Sequence, residues 1–147
     1  MDAYDLELAF YRRLVALTYG TITTVRPDDV FDPQSLPSTY GWRRGTVILD
    51  NPETIAFGNG VYSKIVGIYQ VDLYVPRSNN GALKQLKNMT DAHVAYFWPS
   101  NGRGLTLTEN STSAHIVKRP SQKHLGREGS YLRDVVEVDF YVEDFPS

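Results

Sequence analysis

The chain has 147 residues, 41% hydrophobic and 22% charged, a balance that excludes wholesale disorder and indicates one globular domain. Its net charge of −2 gives no overall attraction to nucleic acid or acidic membranes. The absence of cysteine excludes disulfides, thiolate metal sites and a cysteine nucleophile. No apolar run approaches the length of a membrane span, so no membrane partner is expected.

The first part of the chain contains a helix and a long irregular connection. Apolar residues at helical spacing predict a helix over residues 4–19, with Asp2 or Asp5 as its cap. A short β-prone run follows at residues 21–25. The prolines of residues 26–37 then exclude any central element of regular structure.

Two strands are predicted next, at residues 40–49 and 61–75, and we expect them to pair across a long hairpin loop. The second is the predicted centre of the sheet, because β-branched and aromatic residues fill nearly every position of residues 67–75. Pro76 ends it, since proline cannot donate to the ladder. Alternate positions of this strand and apolar positions of later elements form the predicted core: Tyr69, Val71, Leu73, Val75, Phe97, Val138 and Phe140.

The remaining elements are a helix, a hairpin and a final strand. Helical spacing predicts the second helix at residues 81–98, and a hairpin is expected over residues 105–116. Residues 118–129 are polar and basic and are interpreted as a loop. Strict alternation predicts the last strand at residues 131–142. The fold class is therefore α+β, a mostly antiparallel sheet with two helices on one face, in a single domain spanning 1–147.

No catalytic grouping stands out, so no enzymatic role, metal or cofactor is predicted. His93, His115 and His124 are scattered without the spacing of a metal site. Glu137 and Asp139 are two apart on one strand face. Such a pair can perform acid–base chemistry. A solvated acidic stripe is the favoured interpretation. Electrostatic pairing with another subunit ranks second, ahead of the acid–base role.

The basic segment 118–129 also has several interpretations. Flexible cations can contact a nucleic-acid backbone, but the segment lacks the aromatic residues that stack on single strands. A solvated loop is the default, and a loop that forms salt bridges between subunits is the next choice.

The strand Gly67-Ile68-Tyr69-Gln70-Val71-Asp72-Leu73-Tyr74-Val75-Pro76, followed by a glycine-containing loop and a helix ending in phenylalanine, resembles the tail terminator (tail completion) proteins of long-tailed bacteriophages. In that family a glycine–leucine turn and a short hydrophobic strand follow the helix, where this chain has Gly104-Leu105-Thr106-Leu107. The resemblance covers roughly residues 4–143.

The resemblance implies a ring-forming structural subunit without catalytic residues. Six copies would cap the head-proximal end of the tail tube, stop its polymerisation and offer a surface for head joining. The implied partners are further copies of the chain, the tail tube protein and the head–tail connector or head-completion protein, with transient passage of DNA through the ring. The implied location is the neck of the virion, after assembly in the host cytoplasm.

Two other functions remain open at this stage. One is a head-completion or neck protein that also forms a ring. The other is a small hydrolase using Glu137, Asp139 and a histidine, which is disfavoured because no nucleophile, base and orienting group can be grouped. For a ring, the candidate contacts with subunits and partners are the charged residues Arg77, Lys118, Arg119, Lys123, Arg127, Glu137, Asp139 and Glu143.

Overall fold

The computed structural model describes residues 2–50, 53–57, 60–99 and 104–144. Its architecture is α+β, with a curled, mostly antiparallel sheet and two helices on one face. The elements in chain order are α1 (Ala3–Ala16), β1 (Thr23–Val25), a short 3-10 turn (Pro33–Ser35), β2 (Trp42–Leu49), β3 (Glu53–Phe57), β4 (Gly60–Pro76), α2 (Ala82–Tyr96), β5 (Leu105–Glu109), β6 (Thr112–Ile116), β7 (Ser121–Glu128) and β8 (Tyr131–Asp144).

Two long strands, β4 and β8, form the centre of the sheet. They pair antiparallel through fourteen residue pairs, from Ser63 opposite Asp144 to Pro76 opposite Tyr131. On its other edge β4 pairs with β2 and then with β3, so the predicted loop before β4 contains an additional strand. Residues 58 and 59 of the predicted hairpin loop lie outside the described residues. The strand order is β1-β2-β4-β8-β6-β5, and β1 runs parallel to β2.

The helix-covered face of the sheet, here called the helix face, holds the main core. Tyr69 stacks on Phe10 of α1 at 4.5 Å between ring centroids, and Phe10 also contacts the Phe140 ring at 4.8 Å. All seven residues predicted as core are buried, and they belong to one cluster with residues of both helices. Burial of such side chains stabilises the fold by about 1.5–3 kcal/mol each.

Helix α1 begins where the sequence predicts and ends earlier. The Asp2 carboxylate accepts hydrogen bonds from the backbone N–H groups of Tyr4 and Asp5, which satisfies donors left open at the helix start. The helix ends at Ala16 because Leu17 takes an extended conformation, and the chain then turns through Gly20 at a φ of +56°. The predicted end at residue 19 is wrong by one turn.

Helix α2 buries one face against the sheet. Leu86, Met89, His93 and Val94 are buried, whereas Leu83 is exposed, although the spacing predicts it on the same apolar stripe. The sequence offers Asn80 as a cap for this helix, which is wrong, because the helix starts after Gly81 and has no side-chain cap.

Strand β7 corrects the interpretation of residues 118–129 as a loop. Residues 121–128 pair antiparallel with β8, with an irregularity at Leu125 between His124 and Gly126. Every residue of β7 except Gly126 is exposed. An edge strand that buries neither face has no alternation of apolar and polar residues, and this is why its sequence pattern is missing.

Placing a charge in the centre of the core tests the packing of β4. Val71→Asp should lower the free energy of unfolding by at least about 3 kcal/mol, because an unpaired carboxylate would be buried there. Urea unfolding followed by circular dichroism measures the change. Thr46→Asp, half-buried on the opposite face, is the matched control and should change it by about 1 kcal/mol or less. A Val71→Asp protein with the wild-type midpoint would contradict this packing.

Candidate functional site

The basic residues predicted as subunit contacts lie along one edge of the sheet. Lys118 and Arg119 precede β7, and Lys123 and Arg127 lie within it; all four are exposed. Strand β7 pairs only with β8 in the described part of the chain, which leaves its second edge open. An open edge displays unpaired backbone N–H and C=O groups that another chain can pair with. This edge, residues 118–128, is here called the basic edge.

The acidic residues lie on the sheet face opposite the helices, here called the outer face. Asp139 is paired with Lys118 of the same chain, Nζ to Oδ2, at 2.7 Å. The hydrogen bond and charge of Asp139 raise the pKa of Lys118. The acidic stripe and the basic edge thus already meet within one molecule. Glu137 lies opposite Ser121, and Glu143 lies opposite Lys64 and is exposed.

Arg77 joins the end of β4 to the β7–β8 hairpin. Its guanidinium donates to the backbone oxygen of Gly129 at 3.0 Å, and its backbone N–H donates to that of Ser130 at 2.9 Å. The candidate contact residues therefore fall into three groups: the basic edge, the outer face of β8, and the hairpin end near Arg77.

A buried carboxylate anchors the basic edge to the helix layer. Asp134 is 1% exposed, and its oxygens contact His124 Nδ1 at 2.5 Å and the Thr90 hydroxyl at 2.7 Å. The Lys87 ammonium lies 3.5 Å away. A buried carboxylate requires such partners. Sequence reasoning missed Asp134, although it stands at an apolar position of the alternating pattern, which is the signal that marks it.

A second buried polar group lies between the helices and the sheet. Arg43 is 2% exposed and donates to the Thr24 hydroxyl at 2.7 Å and to the backbone oxygen of Leu17 at 2.8 Å. It also donates to His93 Nε2 at 2.8 Å. Because arginine can only donate, His93 Nε2 is the acceptor, and His93 Nδ1–H donates to the backbone oxygen of Met89 at 2.7 Å.

Both groups of this buried contact have altered pKa values. Burial lowers the pKa of Arg43 to about 10, and it remains a cation at neutral pH. Burial, reinforced by the nearby Arg43 charge, lowers the pKa of His93 to about 4. No carboxylate pairs with Arg43 in the described residues. Its partners tie the end of α1, strand β1 and helix α2 to β2, so the arrangement indicates a structural clamp.

One end of the outer face carries an aromatic cluster. The rings of Trp42 and Tyr74 stack at 3.9 Å with an interplanar angle of 5°, and Tyr131 stands edge-on to both. Burial raises the pKa of Tyr74 to about 12. Phe31 of the proline-rich connection packs against Trp42 at 5.1 Å. The cluster borders a cavity of about 450 Å³.

The other end of the outer face is apolar and open. Ile48, Leu49 and Val66 are 47%, 40% and 38% exposed, and with Ile68 they line a cavity of about 440 Å³ beside the Lys118–Asp139 pair. Exposed apolar side chains that adjoin one another mark interaction surfaces more often than isolated ones do.

The groups invoked for a hydrolase have other partners. Asp139 pairs with Lys118, His124 pairs with Asp134, and His115 contacts Thr106 and Tyr141. Over residues 2–50, 53–57, 60–99 and 104–144, no three histidine or acidic side chains are grouped as a metal ion would require. In the same part of the chain, no helix combines the length and hydrophobicity needed to cross a membrane.

Comparison with known proteins shows the fold and leaves the family open. The sequence matches no protein-family model and no curated protein. Twelve solved chains match it. One of them, a protein whose name states no function, aligns over 100% of this chain and 99% of its own length, with a TM-score of 0.67 and 14% identity. At that identity the likeness shows a common fold alone.

The buried His93 makes stability depend on pH. Its folded pKa of about 4 lies below its ordinary 6.5, so between these values the unfolded chain binds more protons. Its contribution is therefore complete above pH 6.5 and is lost as pH falls toward 4, by up to about 3 kcal/mol. His93→Gln should flatten the pH dependence of the unfolding free energy in this window.

Chemical unfolding at several pH values measures the effect, and slopes are compared because His93→Gln also changes the stability itself. His115→Gln removes a less buried imidazole and serves as the control. An unchanged slope in His93→Gln would show that His93 does not titrate as its burial implies.

Proposed function

We propose that this chain is a structural subunit of a bacteriophage virion that closes the head-proximal end of the tail tube as a ring of six copies. The proposal starts from the resemblance of residues 67–76 to the tail terminator family, with Gly104 and Leu105 in the place of that family's turn. The α+β fold is compatible with it. In the virion the protein would lie at the neck, between the tube protein and the head–tail connector.

The open second edge of β7 is the observation that carries the proposal. A closed ring requires each subunit to present two different surfaces that fit each other. The basic edge offers one such surface, with exposed Lys123 and Arg127 and an unpaired backbone edge. The acidic outer face of β8, with Glu137 and Glu143, offers a surface of opposite charge.

The Lys118–Asp139 pair within one subunit reduces the number of charges available for this contact between subunits. Since these two charges neutralise each other within one subunit, the charges left for a neighbour are chiefly Arg119, Lys123 and Arg127 on the basic edge. Exposed ion pairs contribute about 0–1 kcal/mol each, so several repeated around a ring are needed for a measurable effect. The exposed apolar side chains near Ile48 provide the remaining burial.

Charge reversal on the basic edge tests the ring. Lys123→Glu with Arg127→Glu should leave the circular dichroism spectrum unchanged and weaken assembly measured by light scattering. Assembly of this variant should also depend on salt concentration differently from assembly of the wild type, because salt screens the charges that the variant reverses. Lys84→Glu reverses a charge at an exposed helix position away from the basic edge and should assemble like the wild type. Normal rings in the Lys123/Arg127 variant would mean that assembly depends on apolar and tyrosine surfaces.

Electron microscopy of particles made without this protein tests the function itself. Loss of a terminator should give uncapped tails of abnormal length and no joined heads. Loss of a head-completion or neck protein should give tails of normal length that fail to join heads. Tails of normal length would therefore refute the terminator role and favour that alternative.

A further inference from the structure

A groove on the outer face has no role in the proposed ring contacts. It consists of two adjoining cavities of about 450 and 310 Å³, between the Pro33–Ser35 turn and the end of the β7–β8 hairpin. The two cavities have four lining residues in common: Pro33, Gln34, Ser130 and Tyr131. We call it the turn groove. Two cavities that continue into one another form an elongated site, which suits an extended ligand better than a compact one.

Two hydrogen-bond donors at the turn groove lack acceptors in the described part of the chain. They are Trp42 Nε1–H and Arg44 Nε–H, both buried. Trp42 is 7% exposed, and both residues line the larger cavity. Buried donors without partners are rare in native proteins, so a pair of them beside a cavity indicates a ligand with acceptor atoms. Phe31 and Leu36 of the proline-rich connection pack against the aromatic cluster, so binding requires this connection to shift and expose the two donors.

The charges around the groove are balanced. Arg133 pairs with Asp72, at 2.5 Å, and with Glu128, at 3.3 Å. Arg44 lies opposite Asp72 on the neighbouring strand, Arg77 contacts the lining residue Gly129, and Asp32 caps the turn, so the site holds three cations and three carboxylates. A site without net charge favours a neutral acceptor, such as a peptide carbonyl, over a phosphate or a carboxylate.

The walls of the groove are aromatic. The edges of the buried Trp42–Tyr74 stack and the half-buried, edge-on Tyr131 line the larger cavity, and proline rings and aliphatic side chains pack well against aromatic rings. A proline-rich segment in the polyproline II conformation has no internal hydrogen bonds, so its carbonyl oxygens are free to accept. Aromatic grooves with a donor on the wall recognise such segments in several domain classes.

We propose that the turn groove binds an extended, uncharged, proline-containing peptide segment of a partner protein, whose carbonyl oxygens accept hydrogen bonds from Trp42 Nε1 and Arg44 Nε. The site adjoins the basic edge at Glu128 and involves none of the basic-edge cations proposed for the ring contact. It does not depend on the ring or on the virion role, and peptide binding and assembly can be measured independently.

The indole N–H signals provide a direct test, since the chain has two tryptophans. The ¹⁵N-labelled protein is titrated with an acetylated and amidated peptide Ala-Pro-Pro-Leu-Pro. The Trp42 indole signal should shift with saturation, while that of Trp98, which packs against the main core, should stay in place. Trp98→Phe assigns the two signals and should bind like the wild type. A Trp42 signal that does not move at millimolar peptide would overturn the proposal.

Variants and a second peptide separate this contact from non-specific binding. Arg44→Lys keeps the charge but lacks the Nε–H group, and Trp42→Phe keeps an aromatic ring but lacks the indole donor. Each should weaken binding at least tenfold by calorimetry, and Arg44→Lys serves if Trp42→Phe does not fold. The same peptide with glutamate at both ends should bind more weakly. Tighter binding of the acidic peptide, or wild-type affinity in Arg44→Lys, would contradict the proposed recognition.

Discussion

The contact between Arg43 and the two helices is the constraint on which the layered arrangement depends. One guanidinium joins β2 to strand β1, to the last turn of α1 and, through His93, to α2. A positive charge at the carbonyl end of a helix is favourable because of the helix dipole, which offsets part of the cost of its burial. The N–H groups of the planar guanidinium point in fixed directions, so these hydrogen bonds hold both helices over the same face of the sheet in one orientation. The apolar core fills the space that this contact defines.

Placing both helices on one face leaves the other face free for interactions. The outer face is stabilised by the Trp42–Tyr74 stack and by the pairing of Arg133 with Asp72, while its far end stays apolar and open near Ile48. Among the described residues the Trp42 indole N–H is buried there without an acceptor, which costs about 1–3 kcal/mol. The ligand proposed for the turn groove would remove this cost by supplying the acceptor.

The elements that bury one apolar face could be predicted from the sequence. A strand that buries neither face, and the charged residues that are buried, were missed. Strands β4 and β8 have patterned sequences, so both strands and the central position of β4 could be predicted, whereas their pairing with each other could not. Strand β7 is exposed throughout, and its chemistry resembles that of a loop. Asp134 and Arg43 are buried with hydrogen-bond partners that are distant in sequence, such as Thr90 and His93. Local patterns cannot reveal such partners, and the unsatisfied donors at Trp42 and Arg44 depend equally on three-dimensional packing.

The pairing of β4 with β8 also has a consequence for the order in which the chain folds. The central ladder pairs residues 63–76 with residues 131–144, which are separated by a long segment of the chain. Folds that depend on such long-range pairing form slowly. The β3–β4, β5–β6 and β7–β8 hairpins join neighbours in the chain and can form first. Until the ladder closes, the apolar edges of β4 and β8 are open to other chains. Strand β7 covers one edge of β8 when their hairpin forms. The charged residues of β7 and its irregularity at Leu125 disfavour pairing with other chains and so reduce aggregation during that interval.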